Sequence, residues 1–167
     1  MKKRLNRLTL LKGVRELAER DEDFARIVST YGPPPLWERE QGFHTLIHII
    51  LGQQVSLASA KAAYNRLEEA VNPLLPKNFL MLADEELKPR YGRELANAII
   101  DGSLDLSGLG KLEDEDAKEQ LMKVKGIGPW TADIYLLMAQ GRPDIWPKRD
   151  LALEVAIQRV KGWLRRP

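Results

Sequence analysis

Gly126-Ile127-Gly128-Pro129 constrains the fold of this chain more than any other stretch, because it sets a tight turn between two segments with helical periodicity. Before it, Glu115 to Lys123 is predicted as a helix with Ala117, Leu121 and Met122 as its apolar stripe. After it, Pro129 to Ala139 is predicted as a second helix. Two glycines around one apolar residue let the backbone turn with φ > 0, while Ile127 plugs back between the helices. Pro129 suits the first helical position, where its missing N–H costs nothing. The unpaired N–H groups of the turn and helix start would receive an anion such as a phosphate, and Lys123 and Lys125 add positive charge beside them. On the Gly-x-Gly pattern alone, an ordinary turn between packed helices is the plainer explanation. The longer run Gly-Ile-Gly-Pro-Trp-Thr-Ala is far more specific.

The rest of the chain also reads as helix. Leu5 to Glu19 form a basic amphipathic stretch, Asp21 caps a helix through Tyr31, and Gly32-Pro33-Pro34-Pro35 forces a stiff break. Phe43 to Leu51 is a buried helix ended by Gly52. Ser56 caps the next helix, with Leu57, Ala60, Tyr64 and Leu67 on one face. Pro73 and Pro76 interrupt, Asp84 begins a segment containing Leu87, Leu95, Ala98 and Ile99, and Gly102 to Gly110 form a loop before the turn. No β pattern and no repeat emerges, so an all-α fold is predicted.

A 167-residue chain with 44% hydrophobic residues can fill a core. Net charge of +2 and a pI near 8.8 point only weakly to a polyanionic partner. The clustering says more: Lys2, Lys3, Arg4, Arg7 and Lys12 at the start, Lys148 and Arg149 before Asp150, and Lys161, Arg165 and Arg166 at the end. With no cysteine, disulfides and thiolate zinc sites are excluded within this sequence. His44 and His48 have a zinc-compatible i, i+4 spacing. Their segment lacks the glutamate of the His-Glu-x-x-His pattern and is strongly apolar, which favours packed histidines. No apolar run reaches bilayer length and no signal-peptide core opens the chain, so no membrane partner is expected and an intracellular location is: cytoplasm and nucleoid in a bacterium, nucleus in a eukaryote.

Three segments together carry a family resemblance: Val124-Lys125-Gly126-Ile127-Gly128-Pro129-Trp130-Thr131-Ala132, Ile50-Leu51-Gly52-Gln53-Gln54-Val55-Ser56, and Trp146-Pro147-Lys148-Arg149-Asp150-Leu151-Ala152-Leu153. The chain resembles the helix-hairpin-helix DNA glycosylase superfamily that carries a Gly/Pro-rich loop and a catalytic aspartate, and is closest to 3-methyladenine DNA glycosylase II. The similarity runs from about Phe24 to Trp163. It implies a two-lobed helical fold with the active cleft between the lobes: residues 42–139 as the lobe with the wedge loop and hairpin, and residues 1–41 with 140–167 as the second. The implied partner is double-stranded DNA containing damaged bases, bound by a monomer.

Asp150 matches the catalytic position. As the residue ahead of an apolar helix it is also a natural N-cap, and the helix dipole favours its ionised form. A carboxylate there stabilises an oxocarbenium-like sugar and orients water. Bifunctional relatives place a Schiff-base lysine where this chain has Trp130, so a monofunctional enzyme that leaves an abasic site is implied. Lys125 and Lys148 do not match that nucleophile position. Trp130 is instead a face for a cationic alkylated base, with core packing as the plainer role. Trp146 and Ile134 are further pocket candidates. Related enzymes often carry a tyrosine at the place of Ile134, here followed by Tyr135, which leaves the lesion range open.

Gln53 and Gln54 fall in the loop that fills the gap left by a flipped nucleotide, Gln54 matching the wedge best, though either could simply cap a helix end. Ser56, Lys125, Gly126, Ile127, Gly128 and Thr131 complete the expected DNA contacts. The resemblance requires no cofactor. It implies a structural Na+ or K+ on the backbone carbonyls of Met122, Val124 and Ile127, and the absence of cysteine removes the iron–sulfur cluster of some relatives. Two departures stand out: Leu87-Lys88-Pro89-Arg90-Tyr91 is shorter than the family's Gly-x-Ser-x-x-Lys connection, and the sequence stops at Pro167 where relatives continue. The second lobe is therefore expected to be incomplete at its C-terminal end, in either a reduced natural form or a piece of a longer chain. The rival expectations are a non-catalytic helix-hairpin-helix DNA-binding module or incomplete glycosylase, and a helical interaction domain unrelated to DNA.

Overall fold

A computed structural model describes residues 4–53, 55–82 and 90–163. Its described residues form helices and turns: α1 (Arg7–Arg20), α2 (Glu22–Tyr31), α3 (Phe43–Leu51), α4 (Leu57–Ala70), α5 (Pro76–Leu80), α6 (Arg90–Ile100), a 3-10 turn (Gly108–Lys111), α7 (Asp114–Met122), α8 (Pro129–Met138) and α9 (Leu151–Val160). Among them, no helix is long and apolar enough to cross a membrane.

Local chemistry sets most boundaries. Asn6 and Thr9 form a reciprocal capping box that starts α1, and Asp21 caps α2 by accepting from the Asp23 N–H. Ser56 caps α4 through the Ser59 N–H, as its place in the sequence predicts. Pro76 opens a short helix rather than interrupting one. It sits at the first helical position, where proline is favoured, and the helix buries Phe79 completely. Leu57 and Met122 depart from their predicted apolar stripes: both lie in the terminal turns of their helices and are exposed. Of the predicted segment from Asp84, residues 83–89, with Leu87 in it, lie outside the described residues; Leu95 is fully buried in α6.

The buried apolar core draws on Phe43 to Ala139, with Leu46, Ile47, Phe79, Leu95, Leu121, Tyr135 and Leu136 at its centre. α3 packs on α4, α6 and α8, while α7 packs on α8 and the 3-10 turn. Phe43 and Phe79 meet edge to face at 5.3 Å. The buried Tyr135 hydroxyl accepts from the Gly42 N–H at 3.1 Å and fixes the entry to α3. By contrast, α1, α2 and α9 bury no residue fully. Polar ties hold them instead. The Leu5 N–H donates to Gly141 O at 2.6 Å, and Lys161 at the end of α9 pairs with Asp21 and Asp23 at the start of α2 and lies over Phe24.

Two charged staples brace the turn between α7 and α8. Lys118 of α7 meets Asp133 of α8 at 2.6 Å, with Asp133 1% exposed. Arg142, also buried, reaches Asp114 at 2.5 Å, the carbonyls of Leu109 and Leu112, and Gln140. Pairs with a buried member add little net stability over an apolar pair but tolerate one register only, because a slipped partner leaves the buried charge unpaired.

Candidate active site

The hairpin between α7 and α8 closes through Val124 N–H to Leu121 O at 3.2 Å and Ile127 N–H to Val124 O at 3.0 Å. Ile127 is 4% exposed and does plug back into the core. The two glycines, however, are not equivalent. Gly126 takes φ +98°, whereas Gly128 is extended at φ −89° and serves as the N-cap of α8. A Cβ on Gly126 would lie 2.3 Å from Cγ of Tyr91, while a Cβ on Gly128 would meet nothing within 4 Å. Thus the first glycine serves the turn and the packing of Tyr91. The second leaves the N-terminus of α8 open towards the cleft, with no side chain capping it.

That cleft has a volume of about 990 Å³ and is bounded by the loop after α3, the hairpin, the start of α8 and the start of α9. At its edge Trp130 Nε1 donates to Asp150 Oδ2 at 3.0 Å across 20 residues of chain. The other carboxylate oxygen accepts from the Leu153 N–H at 3.0 Å, so Asp150 is indeed the N-cap of α9. The indole bond and then the helix N–H hold its carboxyl below the usual carboxylate range, outweighing partial burial. Asp150 therefore presents a fixed, ionised carboxylate at neutral pH. Trp130 is half-buried: it packs against the apolar core, lines the cleft and has its ring edge engaged in this bond.

Gln53 faces inward. Its amide donates to Gly126 O at 3.1 Å and to Thr131 Oγ1 at 2.8 Å, tying the loop after α3 to both ends of the hairpin. Thr131 is 2% exposed, so its hydroxyl is occupied with this internal bond rather than offered to a ligand. Gln53→Leu removes both donors and strands two acceptors. It is expected to cost about 2 kcal/mol in urea denaturation, whereas Gln53→Glu, which keeps size but cannot donate, should cost as much or more.

The remaining sequence-derived positions scatter. Gln54 lies outside the described residues. Lys123 and Lys125 are exposed on the hairpin, and Ser56 is occupied as the cap of α4. Ile134 is 9% exposed and belongs to the core, Tyr135 faces Gly42, and Trp146 is 55% exposed; none of the three lines the cleft. Ile134 shares the helix face of Trp130 one turn on, but there that face is already covered by the core. Tyr91, and Arg149 of the basic pair before Asp150, do line the cleft. Tyr91 carries no local signal, because its partner Gly126 is distant in sequence. His48 stacks on Tyr64 at 4.4 Å with Arg39 at 2.9 Å, and His44 approaches Glu40 at 3.8 Å. Among the described residues no group of three or more His, Asp or Glu side chains could hold a metal ion. For a monovalent cation on carbonyls, Val124 O already accepts from Ile127 N–H but retains a second lone pair, which fits a carbonyl donor set.

Gly126→Ala is expected to lose about 2–4 kcal/mol, lowering Tm by roughly 5–10 °C, because alanine resists φ near +98° and its methyl group collides with Tyr91. Removing the ring as well, in Gly126→Ala/Tyr91→Ala, relieves only part of the collision, because Cβ of residue 91 still lies 2.4 Å from the new methyl group, and it leaves the dihedral strain. The double variant should therefore stay well below the parent in a thermal melt.

No family model matches the chain. It is 26% identical over 160 residues to DNA-3-methyladenine glycosylase 1 of Schizosaccharomyces pombe, covering 87% of this chain and 70% of that protein. It is 27% identical over 145 residues to the DNA-3-methyladenine glycosylase of Bacillus subtilis, covering 75% of this chain and 48% of that one. YfjP of Bacillus subtilis is 40% identical over 72 residues, so the chain spans a quarter of that relative's length and about half of the other Bacillus subtilis protein's. Among solved structures, the Schizosaccharomyces pombe 3-methyladenine DNA glycosylase in complex with abasic DNA superposes with a TM-score of 0.83 at 24% identity, over 93% of this chain and 83% of that one, a likeness of fold. The DNA-3-methyladenine glycosidase of Bacillus halodurans superposes with a TM-score of 0.74 at 26% identity, over 89% and 73%.

Proposed function

We propose that this chain, which belongs to the helix-hairpin-helix DNA glycosylase superfamily, is a monofunctional glycosylase that removes alkylated purines of the 3-methyladenine and 7-methylguanine type from duplex DNA. The observation that carries this reading is the Trp130–Asp150 hydrogen bond at the edge of the cleft, beside the open N-terminus of α8. It couples an aromatic face to an ionised carboxylate, the pair that excision of a cationic base requires.

The chemistry follows from charge. A purine alkylated on a ring nitrogen is cationic, so it is drawn to the face of Trp130. When the bond from C1′ to the base nitrogen breaks, its electron pair stays on the base, which departs neutral without needing a general acid. Positive charge develops on the sugar, and the Asp150 carboxylate stabilises it. Water then adds its oxygen to C1′, and the proton it sheds passes to Asp150 or to solvent. Because Trp130 stands where an imine-forming lysine would be needed, the product is an abasic site on an unbroken strand.

DNA is the partner this arrangement fits. The bare Gly128 lets a phosphate approach the N–H groups of α8, with Lys123 and Lys125 alongside. A Na+ or K+ on the carbonyls of Met122, Val124 and Ile127 would supply positive charge between hairpin and phosphate; no cofactor enters the reaction. We assign to Gln54 the filling of the gap left by the flipped nucleotide, on a loop anchored by Gln53. To test monofunctional excision, methylated duplex is incubated with the protein and divided. Breaks only in the alkali-treated half, with no borohydride-trapped adduct, are expected. Breaks without alkali would overturn the monofunctional assignment, and no breaks in either half would overturn excision.

A further inference from the structure

Arg149 is, among the described residues, the one amino acid other than glycine with a positive φ, 64°. It occupies the third place of a turn closed by the Asp150 N–H to Pro147 O at 3.4 Å, a place where glycine or asparagine is adopted cheaply and arginine is not. The side chain is exposed, lines the same cleft as Trp130 and Asp150, and has no ion pair or hydrogen bond among the described residues. A strained backbone thus holds an unpaired guanidinium directly beside the carboxylate that faces the sugar.

Charge decides what that guanidinium meets. The base proposed above is cationic and the developing sugar is cationic, so a second cation against either opposes the reaction. Asp150 already has both oxygens engaged by N–H donors. The remaining anion that must enter with an extruded nucleotide is its own phosphodiester. Successive Cα atoms lie about 3.8 Å apart, so a residue next to the one facing C1′ has the backbone of that same nucleotide within side-chain reach. We propose that Arg149 binds a phosphodiester flanking the flipped nucleotide and so fixes the sugar against Asp150. The guanidinium fork matches two phosphate oxygens, which makes Arg149 a positioning residue.

This assignment rests on the excision reading, and its test separates the two. Duplex carrying a tetrahydrofuran abasic-site analogue is titrated over a range of salt with the parent, Arg149→Gly, Arg149→Asn and Arg149→Lys. Glycine and asparagine both accept the left-handed backbone, so these variants should melt no lower than the parent. Their log–log salt slope should flatten by about 0.9, the loss of one phosphate contact, and affinity at low salt should fall on the order of tenfold. Arg149→Lys should restore the slope. Base release at saturating protein should slow in the glycine and asparagine variants. Unchanged slopes in both of them, with a parent that binds and excises normally, would overturn the role of Arg149 alone. A parent whose duplex binding is absent or insensitive to salt would overturn the excision reading, and this assignment with it.

Discussion

Asp150→Asn is expected to abolish base excision while leaving the protein folded. Asparagine caps helices as well as aspartate does, so α9 keeps its Leu153 N–H bond and Tm should stay within a few degrees of the parent. On the mechanism proposed above, what disappears is the negative charge opposite the developing oxocarbenium ion. Single-turnover release of base should fall by roughly 10³-fold, the scale set by removal of a preorganised electrostatic partner. Affinity for an abasic duplex should change far less, since the proposed phosphate contacts, on the hairpin and at Arg149, do not use this carboxylate. Equal loss of binding and release would mean that Asp150 serves the architecture of the cleft rather than the chemistry.

Trp130→Phe should separate the two uses of the tryptophan. The aromatic face survives and the Nε1 donor does not. Because that bond is the largest cause of the lowered Asp150 pKa, its removal moves the carboxyl back towards its ordinary value. The sign follows from linkage. A carboxyl with a depressed folded-state pKa contributes stability above its unfolded pKa, near 3.9, and loses it as pH falls through the folded value. In the variant that contribution is smaller and is exhausted at a higher pH, so the acid-induced loss of stability should be shallower, while the acid limb of the excision rate, which follows the folded-state pKa, should shift upward. At neutral pH the carboxylate stays ionised but less well oriented, and release should slow on the order of tenfold. Trp130→Ala, which also loses the stacking face, should cost about a further tenfold. An acid limb that does not move in Trp130→Phe would show that the hydrogen bond does not set the ionisation of Asp150.

The sequence made the skeleton of this site legible because its signals are local. Capping by Asp21, Ser56 and Asp150, the break at Gly52 and the start at Pro129 each depend on a residue and its near neighbours, and each falls where the helices begin or end. The tertiary parts were not legible. Gln53 and Thr131 are 78 residues apart, and nothing in either segment reveals that the amide turns inward to brace the hairpin. Tyr91 explains the obligatory glycine at 126 only once α6 is packed beside it. Assigning φ > 0 to both hairpin glycines overlooked that Gly128 already belongs to the helix start, where extended backbone is the rule for an N-cap. Pro76 is ambiguous in sequence because proline both ends and begins helices, and Phe79 decides between them by burying itself.

The residues flanking Asp150 extend the same lesson. Lys148 and Arg149 look alike in sequence, two cations before an acid. The turn distinguishes them: only Arg149 takes the left-handed backbone and lines the cleft. Conversely, the buried Arg142 and Asp133 and the partly buried Lys118 carry charge of the kind that suggests a site, yet their partners lie within the protein and brace α7 against α8.

The measurement closest to the central claim is chromatographic identification of what this chain releases from methylated duplex DNA in a single turnover. Free 3-methyladenine or 7-methylguanine, appearing with first-order kinetics and matched by an equal yield of abasic sites, is the predicted result. Tight, salt-dependent binding of the same duplex with no base released over hours would contradict it and leave a DNA-binding module in place of an enzyme.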